Sequence, residues 1–254
     1  MVTVDLNSDL GEGFGNWSCG DDAAMLKIVT TANVACGFHA GDPDVMARTF
    51  ALARENGVAV GAHPGYPDLQ GFGRRPMRMS EAEIERMVAY QIGAAAGMAA
   101  FAGHRLTHVK AHGALANAAA AEAGIAAAVA RAVRAIDRDL VYLAIACSEQ
   151  IRAGEAAGLV TVAEIFADRG YDEAGQLVRR GLPGAMIDDP EEAAARALTM
   201  VEEGAIITVS GRRLPTAIGS ICVHGDSAHA VAAAGRLKER LLAAGVAVAP
   251  FAGA

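Results

Sequence analysis

The feature that most restricts how this chain can fold is a strand pattern, repeated along its length, whose polar side is in an unexpected place. From Val2 to Asp9, Val4 and Leu6 alternate with Asp5, Asn7 and Asp9. Asn33 to His39 sets Asn33, Ala35, Gly37 and His39 against Val34, Cys36 and Phe38. The same alternation places Ala59, Gly61 and His63 on one face, then His108, Lys110 and His112, then Val160, Val162 and Glu164, and finally Ser220, Cys222, His224 and Asp226. Successive side chains of a strand point to opposite faces. Each stretch therefore has one apolar face and one small or ionisable face, and each lies between helical segments that must cover it. The apolar face then meets the helices, and the polar face looks into a shared interior.

Helix signals fill the gaps between these strands. Asp42-Pro43 supplies an N-cap and a first-turn proline for a helix running to Glu55, which Asn56-Gly57 stops. Ser80 with Glu83 forms a capping box for a helix to about Ala102. Further helices are predicted over Asp21–Val29, Ala114–Ile136, Ser148–Ala157, Asp189–Glu203 and from Ser227 onward, with strands at Leu140–Ala146 and Ile206–Val209. Strand and helix alternate without a linker or low-complexity tract. This predicts one α/β domain over residues 1–254 with a parallel sheet. An open sheet gathers its ligand groups at one switch point. Here polar groups end at least five strands spread over the whole chain: Asp9, His39, His63, Lys110 with His112, Glu164, and His224 with Asp226. Only a closed (β/α) barrel of the TIM type brings these ends together, at its C-terminal face, and roughly 250 residues is its usual length.

Charge narrows the partners. A net charge of −7 and a pI near 5.5 disfavour nucleic acid and give no sign of a membrane surface. No apolar run approaches the ~18 residues of a spanning helix, no basic leader precedes the first strand, and a cytoplasmic protein is expected. The cysteines lack metal-binding spacing, and Cys36 and Cys222 fall in predicted strands as buried thiols. Only Lys27, Lys110 and Lys238 are lysines among 22 basic residues, which sets Lys110 apart. The loop Asp9-Leu-Gly-Glu-Gly-Phe-Gly15 is glycine-rich but matches neither a Walker A loop nor a dinucleotide fingerprint.

The chemistry on offer is several imidazoles, carboxylates and one lysine, with no Gly-x-Ser-x-Gly elbow. Such a set serves either as acid, base and electrostatic clamp, or as ligands for a divalent metal, with Asp9, His39 and His63 the candidates. His108 and His112 are four residues apart on a strand, roughly 13 Å, too far to share one ion. The loop from Gly65 to Arg75 has the make-up of a lid, and Arg74 or Arg75 can meet a phosphate or carboxylate.

Asp5-Leu-Asn-Ser-Asp-Leu-Gly-Glu-Gly-Phe-Gly15, Asn33 to Pro43, Gly61 to Arg75, Phe166-Ala-Asp-Arg169 and Ser220 to Asp226 closely resemble the LamB/YcsF family across essentially the whole chain. The resemblance implies a seven-stranded variant of the barrel, related to polysaccharide deacetylases. It implies an ATP-dependent hydrolase that opens the lactam of 5-oxoproline to L-glutamate, working with two partner subunits, B and C, and using Mg2+ with ATP. On that scheme Lys110 and Arg74 neutralise phosphate or substrate carboxylate, and His63, His112 and His224 move protons. Asp9, Glu164 and Asp226 orient those groups, hold magnesium or activate water. Asn7, Glu12, Asn33, His39, Asp42 and Asp168 join Arg74 as substrate-binding candidates.

Two departures stand out. Where the family has His-Val-Lys-Pro-His-Gly-Ala-Leu-Tyr-Asn, this chain reads His108-Val-Lys-Ala-His-Gly-Ala-Leu-Ala-Asn117. A stiffening proline and a tyrosine are replaced by Ala111 and Ala116, so a changed substrate is one expectation. Two other readings compete with the lactam hydrolase: a stand-alone metal-dependent deacylase on the same barrel, and a non-catalytic component of a hydrolase complex.

Overall fold

The computed structural model describes residues 2–225 and 228–251. Its strands are β1 Thr3–Leu10, β2 Thr31–Ala35, β3 Ala59–His63, β4 Leu106–Lys110, β5 Val141–Ile145, β6 Thr161–Phe166, β7 Ala205–Ile207, β8 Arg213–Pro215, β9 Ser220–Val223 and β10 Ala247–Val248. β1 to β6 pair in sequence, all parallel, and β9 closes the ring by pairing with both β6 and β1. Seven strands thus form the barrel, as the family resemblance implies. β10 adds a short parallel edge at the foot of β1, with Thr3 opposite Ala247. The strand expected near Ile206 lies outside the barrel: β7 pairs antiparallel with β8 in a separate two-stranded ribbon.

The helices are α1 Asp22–Met25, α2 Pro43–Glu55, α3 Glu81–Phe101, α4 Gly113–Ala121, α5 Ala123–Ile136, α6 Glu149–Ala156, α7 Pro190–Glu203 and α8 Ala228–Ala243. Capping explains the boundaries that were readable. Asp42 accepts from the amides of Asp44 and Val45 at the start of α2, and Ser80 and Glu83 complete their capping box on α3. Two expectations are corrected. The helix predicted over Asp21–Val29 is only the short α1, and the run Ala114–Ile136 is two helices that meet at 118°. Glu122, in extended backbone, ends one and starts the other. Gly124 falls just inside α5, and no proline marks that corner. It is imposed by packing, because α4 buries Leu115 and Ala119 beside the barrel mouth while α5 buries Val129 and Val133 along α3. Among the described residues no single helix is long and apolar enough to cross a membrane.

The sidedness of the strands follows the inverted pattern. Leu6, Val34, Val60, Val109, Tyr142, Ile165 and Ile221 belong to the large apolar core between barrel and helices. Asp5, Asn7, Asn33, His108, Lys110, Glu164 and Ser220 are buried with them in sequence alternation, on the inward face. Val141, Leu143 and Phe251 make a small separate apolar plug inside, with Val162 against it and the Phe251 ring edge-on to His108. Gly61 faces His108 across the β3–β4 pair, and a Cβ there would overlap the imidazole ring, so the absent side chain makes room for the histidine.

Deep in this interior Asp5 accepts from the hydroxyls of Thr30 at 2.6 Å, Thr31 at 3.0 Å and Ser220. Burial pushes its carboxyl up to about 6, although these hydrogen bonds work the other way. A folded-state pKa above the unfolded value stabilises the fold most below about pH 4, and that contribution is lost as pH rises through about 6. The stability advantage of wild type over Asp5→Asn is therefore expected to shrink by about 2 kcal/mol between pH 4.5 and 7.5, measured by urea unfolding. A difference that stays constant with pH would contradict the protonation of Asp5.

Candidate active site

Lys110, at the end of β4, reaches the barrel axis and is almost wholly buried, 3% exposed. Its ammonium donates to Asn7 Oδ1 at 3.1 Å and Asp9 Oδ1 at 3.1 Å on β1, and to Cys222 Sγ at 3.2 Å on β9. Glu164 Oε2 on β6 lies 3.0 Å away. Burial alone would drive the proton off, but Asp9 and Glu164 outweigh it and hold the lysine well above its ordinary range. Asp9 shows the mirror effect: burial raises its carboxyl, and the charges of His63 and Lys110 take it well below the usual value. Asn7 and Asn33 form the layer beneath. Asn33 Nδ2 donates to Asn7 Oδ1 at 2.8 Å and to Asp9 Oδ1 at 2.9 Å, while its Oδ1 faces His108 Nε2 at 2.9 Å. These two asparagines orient the charged groups and do not line the cavity.

Beside the lysine stands a group of imidazoles. His63 closes β3, His39 follows β2, His112 follows β4, and Glu12 comes from the glycine-rich loop after β1. His39 and His112 stack at 3.7 Å with their planes 7° apart, and His63 meets both edge-on. Glu12 Oε1 is 4.0 Å from His39 Nε2 and 3.9 Å from His112 Nε2. One ligand atom from each of the four lies within 4.8 Å of all the others. Burial lowers the His39 and His112 pKa values well below the ordinary range and lifts the Glu12 carboxyl to about 7, with Asp9 adding to that rise. Both ring nitrogens of His39, and Nδ1 of His112, are buried without a hydrogen-bond partner. Leaving such groups unpaired costs about 1–3 kcal/mol each. Of the three metal candidates, His39 and His63 join this group, whereas Asp9 is engaged with Lys110.

His63 links the two halves. Its Nδ1 lies 2.7 Å from the Lys110 carbonyl, which can only accept, so that nitrogen carries the proton and Nε2 points to Asp9 Oδ2 at 3.2 Å. After β9, the strand next to β1, His224 Nδ1 pairs with Asp168 Oδ2 at 2.9 Å. Burial works against the charged imidazole there, but the hydrogen bond and charge of Asp168 prevail and raise its pKa.

A cavity of about 1060 Å³ opens over these groups, lined by Asp9, Glu12, His63, Lys110, His112 and His224. The loop Gly65–Arg75 forms one wall and is anchored: Gln91 bonds both the amide and the carbonyl of Gly65 at 2.9 Å, and the His112 amide donates to the Pro64 carbonyl. The two arginines of that loop separate. Arg75 is engaged with Asp68, while Arg74 lies over the Phe72 ring and lines the cavity. Ala111 and Ala116 both line the cavity, so the departures from the family pattern fall where substrate would sit. Asp42 does not belong here. Its side chain caps α2 and accepts from the Gly15 amide at 2.6 Å, a structural duty that its N-cap spacing had already signalled. Asp226 lies outside the described residues.

The sequence reading missed the rim contributed between β6 and α7. Arg169 braces that segment through the carbonyls of Val178 and Ala185, and Arg179 and Arg180 line the mouth. The paired Arg179-Arg180 in a long interval without helix or strand signal was the available clue. Cys222 was read only as a buried thiol, yet it is one of the partners of Lys110, and burial pushes its pKa well above the ordinary value.

With this geometry in view, comparison with known proteins is informative. The 5-oxoprolinase A subunit from Azorhizobium caulinodans is 58% identical over 252 residues, covering 99% of this chain and 100% of that one. The protein of the same name from Gluconobacter oxydans is 56% identical over 97% of each chain. The crystal structure of a lactam utilization protein from Thermus thermophilus superposes with a TM-score of 0.92 at 42% identity, covering 98% of this chain and 100% of that one. A putative cellobiose-phosphate cleavage protein from Enterococcus faecalis, at 15% identity and a TM-score of 0.57, shares the fold alone. The model of the LamB/YcsF family matches residues 4–254, and the chain belongs to that family.

Proposed function

We propose that this chain acts as the A component of an ATP-dependent 5-oxoprolinase, opening the lactam of 5-oxoproline to L-glutamate with partner subunits of the B and C type. The observation that carries this reading is the charged ring around Lys110 at the floor of the cavity, in a chain alike from end to end to proteins named as the A subunit of 5-oxoprolinase. A ring amide is resonance-stabilised and a five-membered lactam recloses readily, so opening it needs an energy source. We assign ATP and its Mg2+ to the partners, because this sequence has no Walker A pattern. Phosphorylation of the amide oxygen makes the ring carbon attackable. Water then adds to that carbon, the C–N bond breaks as the nitrogen takes up a proton, and hydrolysis of the resulting acyl phosphate yields glutamate and phosphate.

The residues fit these steps. The Lys110 ammonium offsets charge developing on the oxygen of the tetrahedral carbon, with Glu164 fixing its position. His224, whose pKa Asp168 raises, donates the proton to the leaving nitrogen. Asp9, between Lys110 and His63, orients the attacking water, and His112 and Glu12 complete that wall. Arg74, with Arg179 and Arg180 at the rim, receives phosphate or carboxylate. The cavity of about 1060 Å³ is at the upper end for small-molecule sites, about 300–1,000 Å³, leaving room for an activated substrate. A second reading, a stand-alone metal-dependent deacylase, is favoured by the Glu12–His39–His63–His112 cluster.

The test is glutamate release from 5-oxoproline by the purified chain, alone and with B and C partners. Release that requires ATP and the partners is expected. No glutamate under any combination sinks the reading, and amide hydrolysis without ATP favours the second. In the assembled system His224→Gln is expected to lower kcat by about 10²–10⁴-fold with an unchanged circular dichroism spectrum. Because Asp168 raises the His224 pKa, activity should fall on the alkaline side, and Asp168→Asn should move that fall to lower pH. An unmoved alkaline limb would remove the pair from the proton transfer.

A further inference from the structure

We infer that Glu12, His39, His63 and His112 form a binding site for one divalent transition-metal ion of the zinc, cobalt or nickel kind. The inference is independent of the lactam reading, since it concerns what these four side chains bind and not which substrate follows.

Four observations support it. Three imidazoles and one carboxylate converge from four separate loops and strand ends, with their ligand atoms within 4.8 Å of one another. His39 is wholly buried, and neither of its ring nitrogens has a hydrogen-bond partner, which is an unstable arrangement for a histidine serving only as core packing. His63 is held as metal-ligating histidines are: its Nδ1 donates to a backbone carbonyl, that of Lys110, which leaves Nε2, 3.2 Å from Asp9 Oδ2, as the nitrogen open to an ion. The wall over the rings is cleared by glycines. A Cβ on Gly65 would sit 2.6 Å from His39 Nδ1, and one on Gly73 would sit 2.8 Å from His112 Nδ1.

The donor set decides the class of ion. Imidazole nitrogens with one carboxylate suit zinc and its neighbours, whereas magnesium takes oxygen ligands and keeps most of its water. This site is therefore distinct from the magnesium that travels with ATP. It also differs from the set Asp9, His39 and His63 read from the sequence, because Asp9 neutralises Lys110 and Glu12 takes the place of the carboxylate ligand. An ion bound there supplies Lewis-acid polarisation within the same cavity as Lys110.

The test uses the full chain, stripped with a chelator and dialysed, then titrated with Zn2+ and separately with Co2+. Metal content by mass spectrometry and the visible absorption of bound Co2+ are the readouts. About one equivalent is expected, unmoved by millimolar Mg2+. Glu12→Gln and His112→Gln, each checked for a native circular dichroism spectrum and cooperative unfolding, should bind at least 100-fold more weakly. Background-level binding by wild type overturns the inference, as does wild-type affinity in both variants. Neither result bears on whether the assembled system releases glutamate, so the two readings fail separately.

Discussion

The interior of this barrel depends on keeping one ammonium ion charged out of water. Burying an unpaired charge is prohibitive, and a buried pair is tolerated only when its remaining hydrogen-bond sites are filled. Lys110 meets that condition through Asn7, Asp9, Glu164 and Cys222, drawn from three strands other than its own. Each partner then needs its own support. Asn7 is shared with Asn33 and Ser220, Asp9 with Asn33 and His63, and Asn33 with His108. The polar face of nearly every strand follows from this single burial. Fold and chemistry rest on one set of side chains, and a change made for one is felt by the other.

The site has two electrostatic halves joined at Asp9 and His63. On one side the lysine and two carboxylates supply charge; on the other, imidazoles offer ring nitrogens. The first half suits stabilisation of an anionic transition state and the second suits a Lewis acid, and both face the same cavity. His224, paired with Asp168, follows β9, the strand next to β1, and lines the same cavity as Asp9. Ala111 and Ala116, where the family resemblance implies a proline and a tyrosine, both line this space, which makes them the positions to examine for substrate preference.

Much of this was legible in the sequence, for a physical reason. Period-two alternation survives in short strands, so the inward direction of Asn7, Asn33, Lys110, Glu164 and Ser220 could be read directly, and side-chain caps fixed α2 and α3 almost to the residue. What was not legible depends on contacts between distant segments. The 118° corner at Glu122 has only Gly124 as a weak local signal, because the alanines around it favour continuing the helix and packing turns it. The stacking of His39 on His112 and the choice between Arg74 and Arg75 are settled by loop geometry. Asp42 was read both as a cap and as a substrate-binding candidate, and the backbone amides around it leave it the first role.

The central claim, that a charged and fully paired Lys110 organises the interior, can be measured directly because the chain has only three lysines, Lys27, Lys110 and Lys238. With lysine labelled by 15N, the Nζ resonance of Lys110 can be assigned by comparison with a Lys110→Arg variant and followed as pH rises. The account predicts an ammonium shift that persists well beyond the ordinary lysine pKa of about 10.4. A resonance that becomes neutral below that value would mean that burial outweighs Asp9 and Glu164, and would contradict the account.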